Sequence, residues 1–319
     1  MIMTRNGKPG AERNRWRPDS ILVWTAAEES TLMQCLEAKL TDHKRTSIKA
    51  LMKYNQVARN SMPTSQFDQP VHAGDTLSVN FTRPFVVFSH PRIKLVYEDN
   101  DIIVINKGSG ILSVSTDNVK DGTAYSILRD YLKKKDPRLM LFVVHRLDRD
   151  TSGLMMFAKN VEAKEAMQHN WNNMVLGRRY VAVVEGKVEQ EEGVVKSYLA
   201  ETSQFEVYST QDASKGQLAV TRWRRIAAGG GYSLMELELD TGRKNQIRVH
   251  MKDLGHPIVG DRKYGAQSSP IHRLALHAQT LRFVHPITRR DMNFTTPIPS
   301  RFRSLLSRRE ADFYDEEED

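Results

Sequence analysis

Cysteine is almost absent. Cys35 is the single thiol in 319 residues, which rules out an internal disulfide framework and fits a reducing, cytoplasmic setting. Long apolar runs are missing as well. No stretch approaches the roughly 18 consecutive apolar residues that suggest a membrane span, so no membrane partner is expected. The opening stretch MIMTRNGKPGAERNRWRPDS is basic but has no apolar core behind it, unlike a secretory signal. Ten histidines are scattered without the Cys/His spacing of a zinc site, so no metal is expected. No G-x-G-x-x-G follows a strand and opens a helix. The run Gly229 to Gly231 precedes a strand instead, which removes the dinucleotide-binding oxidoreductases.

What is present is a chain long enough for two domains, one of them large. Hydrophobic residues make up 39% and charged residues 27%, enough for a core with a well-solvated surface. The net charge is +8, and the last ten residues, Glu310 to Asp319, hold seven acids and no Lys or Arg. The rest of the chain is therefore more basic still. That suits a polyanionic partner, because Lys and Arg release counterions from phosphates.

Composition shifts divide the chain. Residues 1–18 carry Arg5, Lys8, Arg13, Arg15 and Arg17 with few apolar groups and read as a disordered basic arm. Residues 19–81 read as a small module. Leu32, Leu36 and Leu40 share a helical stripe, a second helix covers Ser47 to Lys53, and a turn and strand follow from Val71 to Val79. Residues 82–92, with two prolines, read as a linker. Residues 93–307 form the large domain, and 308–319 an acidic tail, most simply a solvated end.

The large domain is organised around VVHRLDRDTSGLMMFAK, Val143 to Lys159. Two apolar runs flank a polar, turn-prone segment, so Arg146 and Asp148 sit where two core strands open into a loop. Upstream, strands at Leu95–Tyr97 and Ile102–Ile105 end on a turn, Asn106-Lys107-Gly108-Ser109-Gly110, and a helix follows from Thr123 to Lys135. Downstream, a helix covers Asn160 to Asn173. A basic turn, Gly177-Arg178-Arg179-Tyr180, then feeds a strand. SLMELELD, Ser233 to Asp240, alternates as a half-buried strand should. Thr241-Gly242 turns, and a helix opens at Arg243 with Ile247, Met251 and Leu254 facing the core. Arg248 lies about 100° from Ile247, at the edge of that stripe. His277, in an apolar context, reads as a satisfied core histidine.

HRLDRDTSG followed by an apolar strand resembles the central motif of the RluA-type pseudouridine synthases, which isomerise uridine in RNA to its C5-linked form. N-K-G-S-G at 106–110 resembles the family's first motif, with Gly108 where proline is usual. Arg178-Arg179-Tyr180-Val181-Ala182 resembles its K-x-Y-x-A, and TGRKNQIR its T-G-R-x-H-Q-I/L-R, with Asn245 in place of histidine. Gly255 to Gly265 and Arg273 to Ala278 also resemble family segments. The small module, ending in GDTLSV, resembles the α-L RNA-binding domain.

The resemblance implies an α+β fold: a mixed, largely antiparallel sheet with flanking helices around a central cleft, plus a small N-terminal α-L domain. It implies Asp148 as nucleophile, attacking C6 of the base or C1′ of the ribose, or else abstracting a ribose proton. It also implies Arg248 as its ion-pair partner, Arg243 as the alternative partner, and Tyr180 stacking on the flipped base and shuttling the C5 proton. Arg146 enters the space that the extruded nucleotide leaves. Lys107, Arg178 and Arg243 in the large domain, and Lys44, Arg45 and Lys49 in the small one, contact RNA phosphates. The reaction is redox-neutral, so no cofactor is expected. The expected state is a monomer acting on RNA, not DNA. Large-subunit ribosomal RNA is the leading substrate and transfer RNA the alternative. A non-catalytic ribosome-assembly factor on the same fold is the reading from another class. It predicts loss of Asp148 or Tyr180, and both are present.

Overall fold

A computed structural model describes residues 20–116 and 119–307. The basic arm and the acidic tail lie outside the described residues. The chain divides into two compact units between Val87 and Phe88.

In the first unit, the helices Leu32–Lys39 and Arg45–Lys53 pack on a four-stranded antiparallel sheet, in the order Ile21–Thr25, Thr76–Asn80, Val57–Arg59 and Met62–Pro63. The predicted leucine stripe is the core: Leu32 and Leu36 are fully buried and Leu40 nearly so, beside Ile48 and Met52 of the second helix. Thr31 caps the first helix, accepting from Gln34 N while the Gln34 side chain accepts from Thr31 N. Lys44, Arg45 and Lys49 are exposed, and Arg45 pairs with Glu37 at 3.1 Å.

The second unit is built on an eleven-stranded sheet. It is antiparallel at every pairing except one. Ser152–Ala158, the strand after the HRLD loop, runs parallel to Leu276–Val284. On one side of this junction lie Ile102–Lys107 and Ile93–Glu98. On the other lie Val175–Glu185, Tyr232–Leu239, Gln217–Gly229, Glu192–Glu201 and Val207–Thr210. All seven residues of Ser152–Ala158 are buried, so this is a central strand covered on both faces. Gly153 makes the parallel junction possible. Its φ is +119°, and a Cβ there would run into the backbone of Ala278.

The helices follow the sequence reading with local differences. Ala124–Lys135 starts on its Thr123 cap. The predicted helix 160–173 is two helices, Val161–His169 and Trp171–Met174, broken at Asn170. The basic turn expected at 177–180 is already strand. Register shifts at Val175/Gly177 and Arg179/Tyr180 twist it locally, which a bulged strand does without ending. The helix expected at Arg243 opens at Gln246, because Asn245 sits in the left-handed region (φ 54°). The Gln246 side chain accepts from Arg243 N at 3.0 Å and from Thr241 Oγ1 at 2.8 Å, closing the turn.

Candidate active site

The HRLD loop is fastened at several points before any of its charged groups is considered. Ser113 Oγ donates to Leu147 O at 2.5 Å and accepts from Leu147 N at 3.0 Å. Gly110 N donates to Arg149 O at 2.9 Å, and Ser109 Oγ to Asp150 O at 2.8 Å. Leu147 inserts into the core between them. His145 Nε2 accepts from Met156 N at 3.0 Å while its ring leans on Trp171, with centroids 5.1 Å apart. Burial, and then the nearby Arg178, push this imidazole down to about 3, so it stays neutral and can accept. With Leu147 turned inward, its neighbours Arg146 and Asp148 point out of the core.

They point into a small cleft of about 90 Å³ lined by Arg146, Asp148, Arg178, Tyr180, Arg243, Asn245 and Arg248 among others. Thus six of the seven large-domain candidates converge here, from three separate segments, and only Lys107 does not line the cleft. Arg146 is exposed. Arg178 and Tyr180, two residues apart on one strand, share a face. Arg178 lies 5.9 Å over the Trp171 ring, and Arg243 donates to Leu218 O at 3.1 Å.

Arg248 is the electrostatic hub. Its Nη1 stands 3.7 Å from Asp148 Oδ2. Its tighter partner is Asp261, which takes two bonds of 2.7 Å in the forked geometry that suits a guanidinium. Asn245 Oδ1 accepts from Arg248 Nη1 at 3.2 Å, and the Tyr264 ring lies 4.8 Å beneath the guanidinium. Asn245 Nδ2 in turn donates to Tyr264 Oη at 3.0 Å. Burial works against the Arg248 charge, but the bonds and charge of Asp261, with Asp148 behind, outweigh it and hold the proton more firmly than usual.

Arg248 favours the charged form of Asp148, as an ion-pair partner should, but the net shift is upward. Burial dominates and pushes the carboxyl up; Arg248, Arg146 and Lys107 pull it back only in part, and Asp261 adds to the upward push. Because Arg248 spends its two best bonds on Asp261, its hold on Asp148 is partial. Tyr180 is also pushed up, by burial first and by Asp148, against Arg178. Its phenol therefore keeps its proton at neutral pH. It suits stacking and hydrogen-bond donation better than proton removal.

Lys107 is a correction. It was expected to reach an RNA phosphate from a turn, but it is fully buried. Its Nζ donates to the carbonyls of Ile111 at 2.8 Å, Gly108 at 3.1 Å and Arg149 at 3.1 Å. It sits at the end of a central strand, so its side chain turns inward under the HRLD loop. Burial pushes its ammonium down to about 8, with Asp150 and Asp148 opposing. Its place is structural. Lys107→Ala leaves three carbonyls without a donor and opens a void, so we expect a loss of about 3 kcal/mol or more in urea unfolding. RNA affinity of the folded fraction should stay at the wild-type level. Normal stability with weakened RNA binding would restore the phosphate contact.

Asp261, Tyr264 and Trp171 were not identified as site residues from the sequence. Asp261 and Tyr264 lie in Gly255–Gly265, a segment that on sequence resembles the family without singling out either residue. An acid in a glycine-bounded apolar stretch, GHPIVGD, was the available signal. His277 is, as read, a buried histidine with partners: its ring nitrogens meet Ser152 Oγ and Thr296 Oγ1, each at 2.8 Å.

The comparisons agree with this geometry. Residues 101–253 match the family model for RNA pseudouridylate synthase. The Bacillus subtilis protein described as uncharacterized RNA pseudouridine synthase YjbO is 35% identical over 237 residues, spanning 73% of this chain and 83% of its own length. Ribosomal large subunit pseudouridine synthase D of Haemophilus influenzae is 30% identical over 90% of this chain and 94% of its own. Among solved structures, human RNA pseudouridylate synthase domain containing 4 superposes with a TM-score of 0.55 at 23% identity, over 67% of this chain and 91% of that one, a likeness of fold. By its matched motifs, its sheet and these relatives, the chain belongs to the RNA pseudouridine synthases, enzymes that isomerise uridine in RNA.

Proposed function

We propose that the chain isomerises uridines of large-subunit ribosomal RNA, with Asp148 as the nucleophile. The observation that carries the assignment is the pairing of Asp148 and Arg248 at 3.7 Å in one cleft with Tyr180. The carboxylate adds to an electrophilic carbon of the nucleotide, C6 of the base or C1′ of the sugar. The N1–C1′ bond breaks, the base turns, and a C5–C1′ bond forms. The C5 proton departs and N1 gains one, so the reaction is balanced without any oxidant.

Each neighbour has a part. Arg248 steadies the anion while Asp261 keeps it from closing fully onto Asp148. Tyr180 offers a flat face to the extruded base and an O–H that donates. Arg146, exposed at the mouth, fills the gap left in the RNA stack. Arg178 and Arg243 face phosphates, and Lys44, Arg45 and Lys49 give the small N-terminal unit, read as an α-L domain, a basic helix for RNA. A relative described as acting on the ribosomal large subunit aligns with most of this chain, which supports ribosomal over transfer RNA.

The test is direct. Purified protein is incubated separately with unmodified large-subunit ribosomal RNA and with unmodified transfer RNA, and pseudouridine is mapped in each. New sites confined to the ribosomal RNA are expected. Sites confined to transfer RNA would overturn the substrate assignment and leave the chemistry standing.

A further inference from the structure

A second cavity, about 560 Å³, shares Arg248 with the catalytic cleft and is also lined by Asp261. Arg262, Arg273 and Arg301 line it as well, together with Asp150, Ser109 and Gly110. The carboxylates present are already engaged. Asp261 is held by Arg248, and Asp150 pairs with Arg149 at 3.2 Å. Arg262 and Arg301 are exposed and have no ion-pair partner among the described residues.

Arg273 is the more informative of the three. It is half-buried and rigidly held, yet all of its partners are neutral. Nε donates to Leu274 O at 3.0 Å, Nη2 to Ser152 Oγ at 2.7 Å, and the guanidinium lies 5.4 Å over Phe302. Burial and then Arg301 loosen its proton, with Asp150 opposing. Arg262, Arg273 and Arg301 thus outnumber the carboxylates of the cavity, since Asp261 is taken by Arg248 and Asp150 by Arg149, and the surplus positive charge is self-repelling. An arrangement of this kind, fixed in part by carbonyls and a ring, is complete only with an anion that accepts several N–H bonds.

We propose that this cavity binds a backbone phosphodiester of the substrate strand, next to the nucleotide held in the catalytic cleft. The proposal rests on the reading of that cleft as an RNA site. Arg248 faces both cavities, so a strand that delivers its base to Asp148 passes its flanking phosphate by Arg262, Arg273 and Arg301. Ser109, which lines the cavity, also fastens the HRLD loop through Asp150 O. Filling the phosphate site therefore loads the edge of the loop that carries Asp148.

The test uses binding, so it stands whether or not the probe is turned over. A fluorescein-labelled short RNA hairpin with uridines in its loop is titrated with the full chain over a range of KCl. Wild type is compared with R262Q/R301Q, which removes two exposed charges and leaves Arg273 in place. The control R289Q/R290Q removes two exposed arginines that lie outside the cavity. We expect R262Q/R301Q to weaken binding about tenfold near 0.1 M salt and to flatten the log–log salt slope by about 1.4, two single-strand contacts' worth. The control should flatten it by less than half as much. An unchanged slope, or equal flattening in both variants, would overturn the site. Millimolar inorganic phosphate should displace the hairpin no better than chloride at equal ionic strength. Phosphate-specific displacement that R262Q/R301Q abolishes would overturn the strand assignment in favour of free phosphate. Turnover by an Asp148→Asn protein would sink the catalytic reading without touching this slope.

Discussion

Asp148→Asn should lose at least about 10⁴-fold in turnover, because removing the nucleophile takes away the covalent step itself. RNA affinity should hold within a few fold, since Arg146, Arg178 and Arg243 still line the cleft. The substitution is nearly isosteric, and its stability effect has a definite sign. The Asp148 carboxyl is pushed above its ordinary value of 3.8 by burial. The folded state therefore holds that proton more tightly than the unfolded chain does. At neutral pH the charged group costs stability, and the cost fades as pH falls through the raised value. Asparagine carries no such cost, so the variant should melt no lower than wild type at pH 7. A dead protein that also melts far lower would assign the loss to misfolding instead. The same sign sets the acid limb of kcat/KM. Activity needs the ionised carboxylate, so the limb lies above the position of an ordinary aspartate.

Asp261→Asn is the second large effect. Asp261 is buried and holds Arg248 by two bonds of 2.7 Å. Asparagine keeps the shape but removes the charge that competes for Arg248. The guanidinium is then free to close on Asp148, moving the group that must stay open to substrate. Displacing a catalytic group by about 1 Å costs on the order of 10²-fold, and we expect kcat to fall by that much. The pH profile distinguishes this from simple loosening. Asp261 is one of the groups that push Asp148 up, so its removal should shift the acid limb to lower pH. A limb that stays in place, with kcat within twofold of wild type, would show that Asp261 merely supports the fold.

The segments that build the site each carry a local signature, although they are far apart in the chain. The HRLD loop announces itself as polar residues between two apolar runs, and the alternation of SLMELELD fixes the strand that leads to Arg248. Lys107 was misjudged because a lysine at the end of a strand looks the same whether it turns out to solvent or in beneath a loop. The loop it turns under, at Arg149, is 42 residues away in sequence. The parallel junction between Ser152–Ala158 and Leu276–Val284 has no local signature either. It depends on Gly153 meeting the backbone of Ala278, far along the chain. The role of Asp261 was hidden for a similar reason. Its charge matters only through Arg248, and no pattern within GHPIVGD says which arginine it will meet. Asn245, by contrast, departs from the family's histidine yet fits its place. It adopts the left-handed turn, accepts from Arg248 and donates to Tyr264, none of which requires a titratable ring.

The central claim is that Asp148, in this cleft, makes pseudouridine in ribosomal RNA. Its most direct test is pseudouridine mapping of total RNA from cells that lack the protein, complemented with wild type or with Asp148→Asn. The account predicts sites in large-subunit ribosomal RNA that vanish in the deletion and return with wild type alone. Sites that return equally with Asp148→Asn would contradict it.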